Sequence, residues 1–472
     1  MKRGDEIEAV IEDLADGGNS VARVDGLVIF SRGGVPGDHV KLRVRAMKKN
    51  FAEADLIGVI APSAHRTSPR CAHFGTCGGC TWQHIAYAAQ LEFKRRHVAD
   101  ALERLGGFSG LEVPAPLGAD EPYYYRNKME FSFGPMWRTQ EEMAAAGPDA
   151  GPPPPALGLH IPGRFDRVLD LRECHLQSMT SARIVNFVRA WSRVRALPVY
   201  STFTQQGYLR NLVIREARRT GEMMVNLVTA DERPAVMQEL TRDLIAEFPA
   251  VTTVVNNITA RRSQVAVGER ERVYHGSGRV TEKIGQRSYS ISANSFFQTN
   301  TLQAERLYDT ALLFAGLRET DTVYDLYSGT GTIALHVASH AAHIIGIESV
   351  EGAVADARRN ADDNGVTNCT FLQGDLNATL SSHERPHIDP PDVVIVDPPR
   401  AGLHANVARK IVELSPRTIV YVSCNPATQA RDLRIICDSG KYVITAVQPV
   451  DMFPHTYHVE NVVAMQNLFN KR

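Results

Sequence analysis

The chain has 472 residues, of which 43% are hydrophobic and 22% are charged, an ordinary globular composition for a protein of about three domains. Its net charge of −1 does not indicate nucleic-acid binding, so such a partner would require locally concentrated positive charge. No run approaches the roughly 18 apolar residues of a membrane span, and the N-terminus turns acidic too early for a signal peptide. Seven cysteines without an export signal favour a reducing compartment. We expect a cytoplasmic protein without a membrane partner, and a monomer.

Residues 1–60 contain five short stretches with the pattern of strands, at 6–14, 20–24, 27–30, 39–45 and 51–60, separated by turn residues. Short strands at this spacing predict a small closed barrel, because closure removes exposed sheet edges. Basic side chains lie on and after the fourth stretch: Lys41, Arg43, Arg45, Lys48 and Lys49. The region therefore predicts an OB-like RNA-binding barrel. Its pattern resembles the TRAM domain found at the front of RNA-modifying enzymes.

A cysteine-rich run, Cys71-x5-Cys77-Gly-Gly-Cys80, follows the barrel. Three neighbouring thiols can converge on one metal because glycine lets the loop curl, and both zinc knuckles and iron–sulfur sites use such cysteine pairs. Cys174 is the best thiol for a fourth ligand. The rival fourth ligands are His73, His84 and His175, and an imidazole would favour zinc. The spacing alone leaves zinc and iron–sulfur open.

Residues 61–289 predict an α+β middle domain. Helices are predicted at 87–105, 178–191 and 234–247, with strands around the last of them between 209 and 267. Residues 123–128 mix aromatic and basic side chains, which either stack on nucleic-acid bases or form the edge of an amphipathic strand. Residues 147–155, GPDAGPPPP, cannot form a core and predict a surface insertion.

From about residue 290 strands and helices alternate, which predicts a parallel α/β sheet. A strand at 322–327 is followed by a G-x-G-x-x-A turn that begins at Gly329. The next strand, 343–347, ends on Glu348, where a carboxylate can accept hydrogen bonds from ribose hydroxyls. NAD and S-adenosylmethionine sites share this pattern, so it predicts a nucleotide-like cofactor of either kind.

Two later strand ends carry reactive side chains. The strand at 393–396 runs into Asp397-Pro-Pro, an element that looks like that of methyltransferases acting on planar nitrogen or base substrates and favours S-adenosylmethionine. The strand at 419–422 leads to Cys424, at the edge where open α/β sheets bind ligands. Cys424 is either a nucleophile or an ordinary core thiol. Glu460 is either a general base or a surface carboxylate.

Four motifs, DLYSGTG, DPPRAG, SCNP and FPHTYHVE, together resemble the motif set of the RNA 5-methyluridine (uracil-C5) methyltransferases. The stretch NSFFQTN at 294–300 matches the motif that precedes the S-adenosylmethionine domain of that family. The CX5CGGC run with a distant fourth cysteine is similar to the iron–sulfur-containing 23S rRNA type with an N-terminal TRAM domain. The resemblance covers nearly the whole chain.

The resemblance implies roles for individual residues. Cys424 falls at the position of the nucleophile, which adds to carbon 6 of uracil, and Glu460 falls at that of the proton acceptor. The positions that match the S-adenosylmethionine site are Gln298, Tyr327, Thr332, Glu348, Asp375 and Asp397. The positions that match the ligands of a [4Fe–4S] cluster are Cys71, Cys77, Cys80 and Cys174, with zinc as the alternative metal.

These observations combine into one expectation of a multidomain protein. Residues 1–60 form an OB-like TRAM barrel, residues 61–289 an α+β RNA-binding domain with the four-cysteine cluster, and residues 290–472 a Rossmann-like α/β methyltransferase domain. The helix at 86–106 is a candidate for packing on the methyltransferase domain. The expected activity is S-adenosylmethionine-dependent methylation of a uridine in RNA, with 23S rRNA favoured over tRNA. The competing class is a non-catalytic, metal-containing RNA-binding protein.

Overall fold

The computed structural model describes residues 1–139, 142–143, 145, 153–263, 266–380 and 390–470, and within them the strands form one closed barrel, two large sheets and two hairpins. Of the predicted surface insertion at 147–155, residues 147–152 lie outside the described residues. None of the helices in this described part of the chain has the length and apolar character that crossing a bilayer requires.

The first five strands close into a barrel in the order β1-β2-β3-β5-β4, which confirms the predicted barrel. Alternation places apolar side chains such as Ile11, Ile29 and Leu42 inside, where they are fully buried. Of the basic side chains on the fourth strand, Lys41 and Arg43 both pair with Glu6 at the surface. The strands are β1 (Glu6–Leu14), β2 (Ser20–Val24), β3 (Leu27–Ser31), β4 (His39–Met47) and β5 (Phe51–Ala61).

The middle region contains a six-stranded sheet in the order β13-β12-β11-β10-β6-β7. The strands β11 and β12 are parallel, and the helix α3 connects them. This helix begins at Pro234, as predicted, because the first turn of a helix needs no N–H partner there. The elements are α1 (Tyr87–Asp100, continued by a π-helical turn at Ala101–Leu105), β6 (Lys128–Gly134), β7 (Ala156–Gly158), the hairpin strands β8 (His160–Ile161) and β9 (Arg164–Val168), α2 (Met179–Val194), β10 (Leu209–Glu216), β11 (Met223–Thr229), α3 (Pro234–Glu247), β12 (Val251–Ile258) and β13 (Arg270–His275).

The last region contains a seven-stranded sheet in the order β18-β17-β16-β19-β20-β22-β21. Its first five strands are parallel, and β22 runs antiparallel to both of its neighbours. The carboxyl ends of β16, β19 and β20 therefore meet at one edge. The elements are the hairpin β14 (Arg279–Ile284) and β15 (Arg287–Ser292), then α4 (Thr301–Ala315), β16 (Thr322–Leu326), α5 (Thr332–Val337), β17 (His343–Glu348), α6 (Glu351–Asp363), β18 (Cys369–Gln373), α7 (Leu376–Thr379), β19 (Val393–Val396), α8 (Ala405–Leu414), β20 (Thr418–Ser423), α9 (Pro426–Cys437), β21 (Tyr442–Val450) and β22 (Glu460–Asn467).

The seven-stranded sheet is covered in part by segments that precede it in the chain. Val98 and Leu102 of α1 and its π-helical turn share one core cluster with α9 and one face of the sheet. Ile284 and Ile291, on the two strands of the hairpin β14–β15, share the core of the other face. The expected boundary at 289/290 therefore falls inside a hairpin that packs on this sheet. The division into 1–60, 61–289 and 290–472 stays a prediction.

The loop 451–459, between β21 and β22, is held by residues from the middle region. Nζ of Lys94 on α1 lies 2.5 Å from Oδ1 of Asp451, and both side chains are fully buried. The N–H groups of Thr81 and Trp82, which follow Cys80, both donate to the carbonyl oxygen of His455 at 2.9 Å. The loop therefore has a fixed path as it enters β22.

Candidate active site

Cys424 lies directly after β20, where the chain turns into α9. The side-chain oxygen of Asn425 accepts the N–H of Ala427 at 3.1 Å and caps the helix, and Pro426 occupies its first turn. The Nδ2 group of Asn425 also donates to the carbonyl oxygen of Arg400 at 3.2 Å. The thiol is half-buried at the predicted edge of the sheet, so Cys424 is not an inaccessible core residue.

Glu460 lies beside Cys424. Ser423 on β20 pairs with Asn461 on the antiparallel strand β22. Cys424 and Glu460 are the next residues beyond this pair, one on each side. The Glu460 side chain is only 3% exposed, which excludes the alternative of a surface carboxylate. Burial, and then the charge of Asp397, raise the pKa of Glu460 to about 8. A carboxyl group with a raised pKa is, once ionised, a stronger base than an ordinary carboxylate.

Two further carboxyl groups lie at the same edge. Asp397 follows β19, and burial raises its pKa to about 7. Asp325 lies on β16, and burial, with the charge of Asp397, raises its pKa to about 8. Three strands thus carry acidic groups into one partly dehydrated region, where the charge of Asp397 disfavours ionisation of both Asp325 and Glu460.

Arg400 supplies positive charge next to the thiol. Burial and the charge of Glu460 raise the pKa of Cys424 to about 11, and the positive charge of Arg400 opposes this effect. The Nη2 group of Arg400 also lies 3.3 Å from Nε2 of His458. Without a bound ligand the thiol is therefore protonated at neutral pH, and its ionisation depends on Arg400 and on what binds beside it.

A cavity of about 450 Å³ opens above Cys424 and is built from three parts of the chain. Arg400 and His458 of the last region line it together with His97 of α1. Asp16, in the turn between β1 and β2 of the barrel, completes the wall. The barrel therefore reaches the reactive cysteine, although the sequence places the two about 400 residues apart.

A second cavity, of about 630 Å³, brings together three of the residues predicted to bind the cofactor. Tyr327, Glu348 and Asp375 line it at the carboxyl ends of β16, β17 and β18. Oε2 of Glu348 accepts the N–H of Gly329 at 3.1 Å, so the acidic residue and the glycine turn are in direct contact. This arrangement matches the predicted acceptor for ribose hydroxyls.

The other three predicted cofactor residues do not line the second cavity. Gln298 is buried in the loop before α4, where its carbonyl oxygen accepts a hydrogen bond from Nδ2 of Asn127 at 2.8 Å. Thr332 is the first residue of α5, and its hydroxyl accepts the O–H of Tyr308 at 3.1 Å. Asp397 lies on the side of Cys424 and Glu460.

The glycine turn fits a nucleoside ligand. Gly331 has a φ of +79°, and a Cβ there would lie 2.8 Å from Cζ of Phe371, so glycine is required. Oδ1 of Asp325 and Oγ of Ser328 are buried beside this turn and have no hydrogen-bond partner in the described part of the chain. Orphaned buried polar atoms are rare, and these two are available to a ligand with polar hydrogens.

The four predicted cluster cysteines all line one small cavity of about 320 Å³: Cys71, Cys77, Cys80 and Cys174. Of the rival histidines, only His175 lines the same cavity, and its Nδ1 lies 2.9 Å from the hydroxyl of Tyr124. Over the described ranges of the chain, no three metal-ligating side chains are close enough to hold one metal ion. The structure therefore gathers the thiols but does not confirm a metal, and the cluster stays a prediction.

Residues 123–128 are open to two interpretations, base stacking or a strand edge. Tyr125 and Asn127 are buried, and the other four residues are half-buried. Tyr123 stacks on His455 with ring centroids 4.1 Å apart. The hydroxyl of Tyr125 donates to the carbonyl oxygen of Pro454 at 3.1 Å. The segment thus joins the cysteine site to the loop 451–459.

Sequence reasoning missed several residues of the site. Arg400 lies within the DPPRAG motif, three residues after Asp397, and this short distance in the sequence could have indicated it. Asp325 is an acidic residue in the middle of an apolar strand, which is also a signal. Asp16 and His97 come from distant segments, and no local pattern indicates that they reach Cys424.

The acidic groups predict a pH-dependent stability. Unfolded carboxyl groups ionise near pH 4, whereas the pKa of Asp325, Asp397 and Glu460 in the folded chain is about 7 to 8. Between these values the folded chain binds more protons than the unfolded chain, so the free energy of unfolding falls as pH rises. The clearest window is about pH 6.5 to 8. Most unfolded histidines are neutral above its lower end, and thiols ionise only above its upper end.

We expect the melting temperature of the ligand-free protein to fall between pH 6.5 and 8, and to fall less in Asp397→Asn. Thermal scans at constant ionic strength measure both slopes. Equal slopes in the two proteins would contradict the raised pKa of Asp397.

The fold and the site define a class. A glycine turn after the first strand, acidic residues at the next strand ends and an antiparallel strand inserted into the sheet are features of S-adenosylmethionine-dependent methyltransferases. The family model described as tRNA (Uracil-5-)-methyltransferase matches residues 220–468, and the TRAM domain model matches residues 1–57. The chain belongs to the tRNA (uracil-5-)-methyltransferase family.

Relatives of full length support this assignment. An uncharacterized RNA methyltransferase of Chlorobaculum tepidum is 43% identical over 471 residues, which are 98% of this chain and 97% of the relative. One of Porphyromonas gingivalis is 43% identical over 459 residues, 96% of this chain and 98% of the relative. The structure of Pyrococcus abyssi tRNA (uracil-54, C5)-methyltransferase in complex with S-adenosyl-L-homocysteine superimposes with a TM-score of 0.73 and 28% identity, covering 97% of this chain and all of that one.

These matches confirm the predicted enzyme class, the TRAM domain and the cofactor. The protein is an S-adenosylmethionine-dependent RNA methyltransferase. The competing interpretation, a non-catalytic RNA-binding protein, is not supported.

Proposed function

We propose that this enzyme methylates carbon 5 of a uridine in RNA through a covalent bond between Cys424 and carbon 6 of uracil, with Glu460 as the base. The observation that carries the proposal is the placement of Cys424 and Glu460 at the ends of the adjacent strands β20 and β22, with Arg400 beside the thiol. Few other functions require a nucleophilic sulfur, a buried carboxylate and a cation in this arrangement.

The first step activates the uracil ring. Carbon 5 of uracil is a poor nucleophile, so the thiolate of Cys424 adds to carbon 6 and the electrons of the C5–C6 double bond move toward carbon 5 and the carbonyl oxygen at carbon 4. The positive charge of Arg400 favours the thiolate. Gln298 is a donor for the enolate oxygen, and Asp397 orients the ring through its N3–H.

The second step restores the aromatic base. S-adenosylmethionine would supply the methyl group on a sulfonium. The electron pair at carbon 5 forms the new bond to this methyl group, the sulfur–methyl bond breaks, and S-adenosylhomocysteine leaves. Carbon 5 then carries both the methyl group and a proton. Glu460 takes this proton, the C5–C6 double bond forms again, and the bond between carbon 6 and Cys424 breaks to release the thiolate. The raised pKa makes Glu460, once it is ionised, a stronger base than an ordinary carboxylate.

The cofactor is assigned to the second cavity. Tyr327, Glu348 and Asp375 hold its nucleoside part, with Glu348 accepting from the ribose hydroxyls. Thr332, at the start of α5, completes the same edge of the sheet. The orphaned oxygens of Asp325 and Ser328 support a ligand beside the glycine turn.

We propose a [4Fe–4S] cluster for the four cysteines, with zinc as the alternative. One observation supports a metal at this place: all four thiols line one cavity. The choice of a cluster over a zinc ion follows from the resemblance to the iron–sulfur-containing members of the family.

The purified protein is expected to be brown and to absorb broadly near about 400 nm, as thiolate-bound iron–sulfur clusters do. Iron and sulfide analysis together with the visible spectrum measures this, and Cys77→Ser should lose the absorbance. Cys369→Ser is the matched control, because that thiol lies outside the cavity. A colourless protein that contains zinc would move the four cysteines to the zinc assignment.

For the substrate we propose 23S rRNA, which the barrel and the middle domain bind. We propose that the protein acts as a monomer. The four gathered cysteines support this choice through the resemblance to the 23S rRNA type. A tRNA uridine is the second candidate, and the match with the Pyrococcus abyssi enzyme favours it. In either RNA the target nucleotide must leave its stack to reach Cys424.

The experiment that tests the function is mapping of 5-methyluridine in ribosomal and transfer RNA from a strain that lacks this gene, followed by methylation of the unmodified RNA with the purified protein. Loss of one residue of 5-methyluridine in 23S rRNA, restored in vitro, is the expected result. Loss in tRNA would select the second candidate, and no loss in either RNA would reject the proposal.

A further inference from the structure

The wall of the cavity above Cys424 contains a barrel residue that the chemistry proposed above does not use. Asp16 lies in the turn between β1 and β2 and lines the cavity together with Cys424 and Arg400. Its charge acts on both histidines of the cavity. Burial lowers the pKa of His97 and of His458, and the carboxylate of Asp16 opposes that lowering in each case. Asp16 is therefore close to both His97 and His458 at the opening of the cavity.

The turn that carries Asp16 is held firmly against the rest of the protein. Gly18 has a φ of +76°, and a Cβ there would lie 3.0 Å from Cδ1 of Tyr457, so the turn rests directly on the loop 451–459. Arg96 of α1 pairs with Asp13 at 3.4 Å. Oδ1 of Asp16 accepts the N–H of Gly17 at 2.8 Å, which orients the carboxylate. Asp16 thus has a set position at the mouth of the cavity.

A carboxylate is an unusual group to place where RNA enters. Among the described residues that line the cavity, Asp16 is the one carboxylate, and Arg400 provides positive charge. RNA phosphates are repelled by Asp16 and attracted by Arg400. An ionised carboxylate only accepts hydrogen bonds. The part of the RNA that meets Asp16 is therefore a neutral hydrogen-bond donor.

The proposed reaction places a ribose in this cavity. Carbon 6, which Cys424 attacks, is bonded to N1, and N1 carries the ribose. The sugar of the target nucleotide therefore lies close to Cys424, which lines the same cavity as Asp16. Its 2′-hydroxyl, and that of an adjacent nucleotide, are donors that DNA does not have.

We propose that Asp16 accepts a hydrogen bond from a ribose 2′-hydroxyl, of the target nucleotide or of its neighbour, while Arg400 faces the adjoining phosphate. The barrel then contributes a specificity-determining residue to the catalytic cavity and checks that the substrate is RNA. This inference rests on the proposed uridine methylation.

The test uses synthetic RNA that spans the mapped uridine, made in an all-ribose form and in three forms with one 2′-deoxy nucleotide at the target, at the 5′ neighbour or at the 3′ neighbour. The full-length enzyme and Asp16→Ala are compared by kcat/KM for methyl transfer. We expect one deoxy position to lower kcat/KM of the unchanged enzyme roughly tenfold or more, the size of a hydrogen bond to a charged group. Asp16→Ala should lose a similar factor on all-ribose RNA and nothing further on that deoxy RNA.

Asp16→Asn, which keeps a neutral acceptor oxygen, should recover part of the loss. Asp25→Asn is the matched control, because Asp25 lies in the turn between β2 and β3 and does not line the cavity. The inference is overturned if Asp16→Ala leaves kcat/KM unchanged, or if it lowers kcat/KM equally on all-ribose and every deoxy form. If the unchanged enzyme methylates none of the RNAs, the proposed function fails instead, so the two failures are distinct.

Discussion

Replacing Cys424 by alanine is expected to abolish methyl transfer, with a loss of more than about 10³-fold in kcat, while S-adenosylmethionine still binds. The thiolate activates carbon 5, and no other described side chain that lines the cavity is a comparable nucleophile. Tyr327, Glu348 and Asp375, which are assigned to the cofactor, line the second cavity and are left intact. Single-turnover methylation of RNA and calorimetric titration with S-adenosylmethionine measure the two effects separately.

The control for this variant is Cys437→Ala. Cys437 is another half-buried thiol of the same domain, at the end of α9, and it does not line the cavity. It should keep its activity within a few-fold. A Cys424→Ala enzyme with comparable turnover would exclude the covalent mechanism.

Replacing Glu460 by glutamine is expected to trap the enzyme on its RNA. Glutamine has nearly the same shape but cannot take the proton from carbon 5, so addition and methylation proceed while release stops. Turnover should fall by about 10² to 10⁴-fold, the usual contribution of a general base. A protein–RNA band that survives denaturing electrophoresis should appear, and it should carry the transferred methyl group.

Two further variants make this result specific. The band should vanish in the double variant Cys424→Ala/Glu460→Gln, because the bond to carbon 6 cannot form. Glu413→Gln, an exposed carboxylate on α8, should behave like the unchanged enzyme. Normal turnover by Glu460→Gln without a trapped band would reject Glu460 as the base.

Much of the fold follows from local pattern. The barrel was predictable because apolar residues alternate with polar ones between turn residues, and this period places one face of each strand inside. The strand at Val393–Val396 was predictable because four apolar β-branched residues precede two prolines. Cys424 and Asp397 were predictable as neighbours because parallel strands end at the same edge of a sheet.

The features that sequence reasoning missed depend on contacts between distant segments. Asp16 and His97 meet Cys424 only after three parts of the chain have packed together, and their own neighbours in the sequence carry no sign of it. Tyr123 and Tyr125 have the aromatic pattern of an RNA-binding surface, but the same pattern serves a buried interface equally well. Pattern identifies which side chains are apolar or charged, and only packing decides what covers them.

The ion pair between Lys94 and Asp451 joins residues that are 357 positions apart in the chain. At a synthesis rate of about 5–20 residues per second, α1 leaves the ribosome on the order of 20 to 70 s before the loop that carries Asp451 is made. During that interval Val98 and Leu102, which are buried in the finished protein, have no sheet to cover them. The helix thus presents apolar surface of the kind that chaperones protect until the sheet has formed.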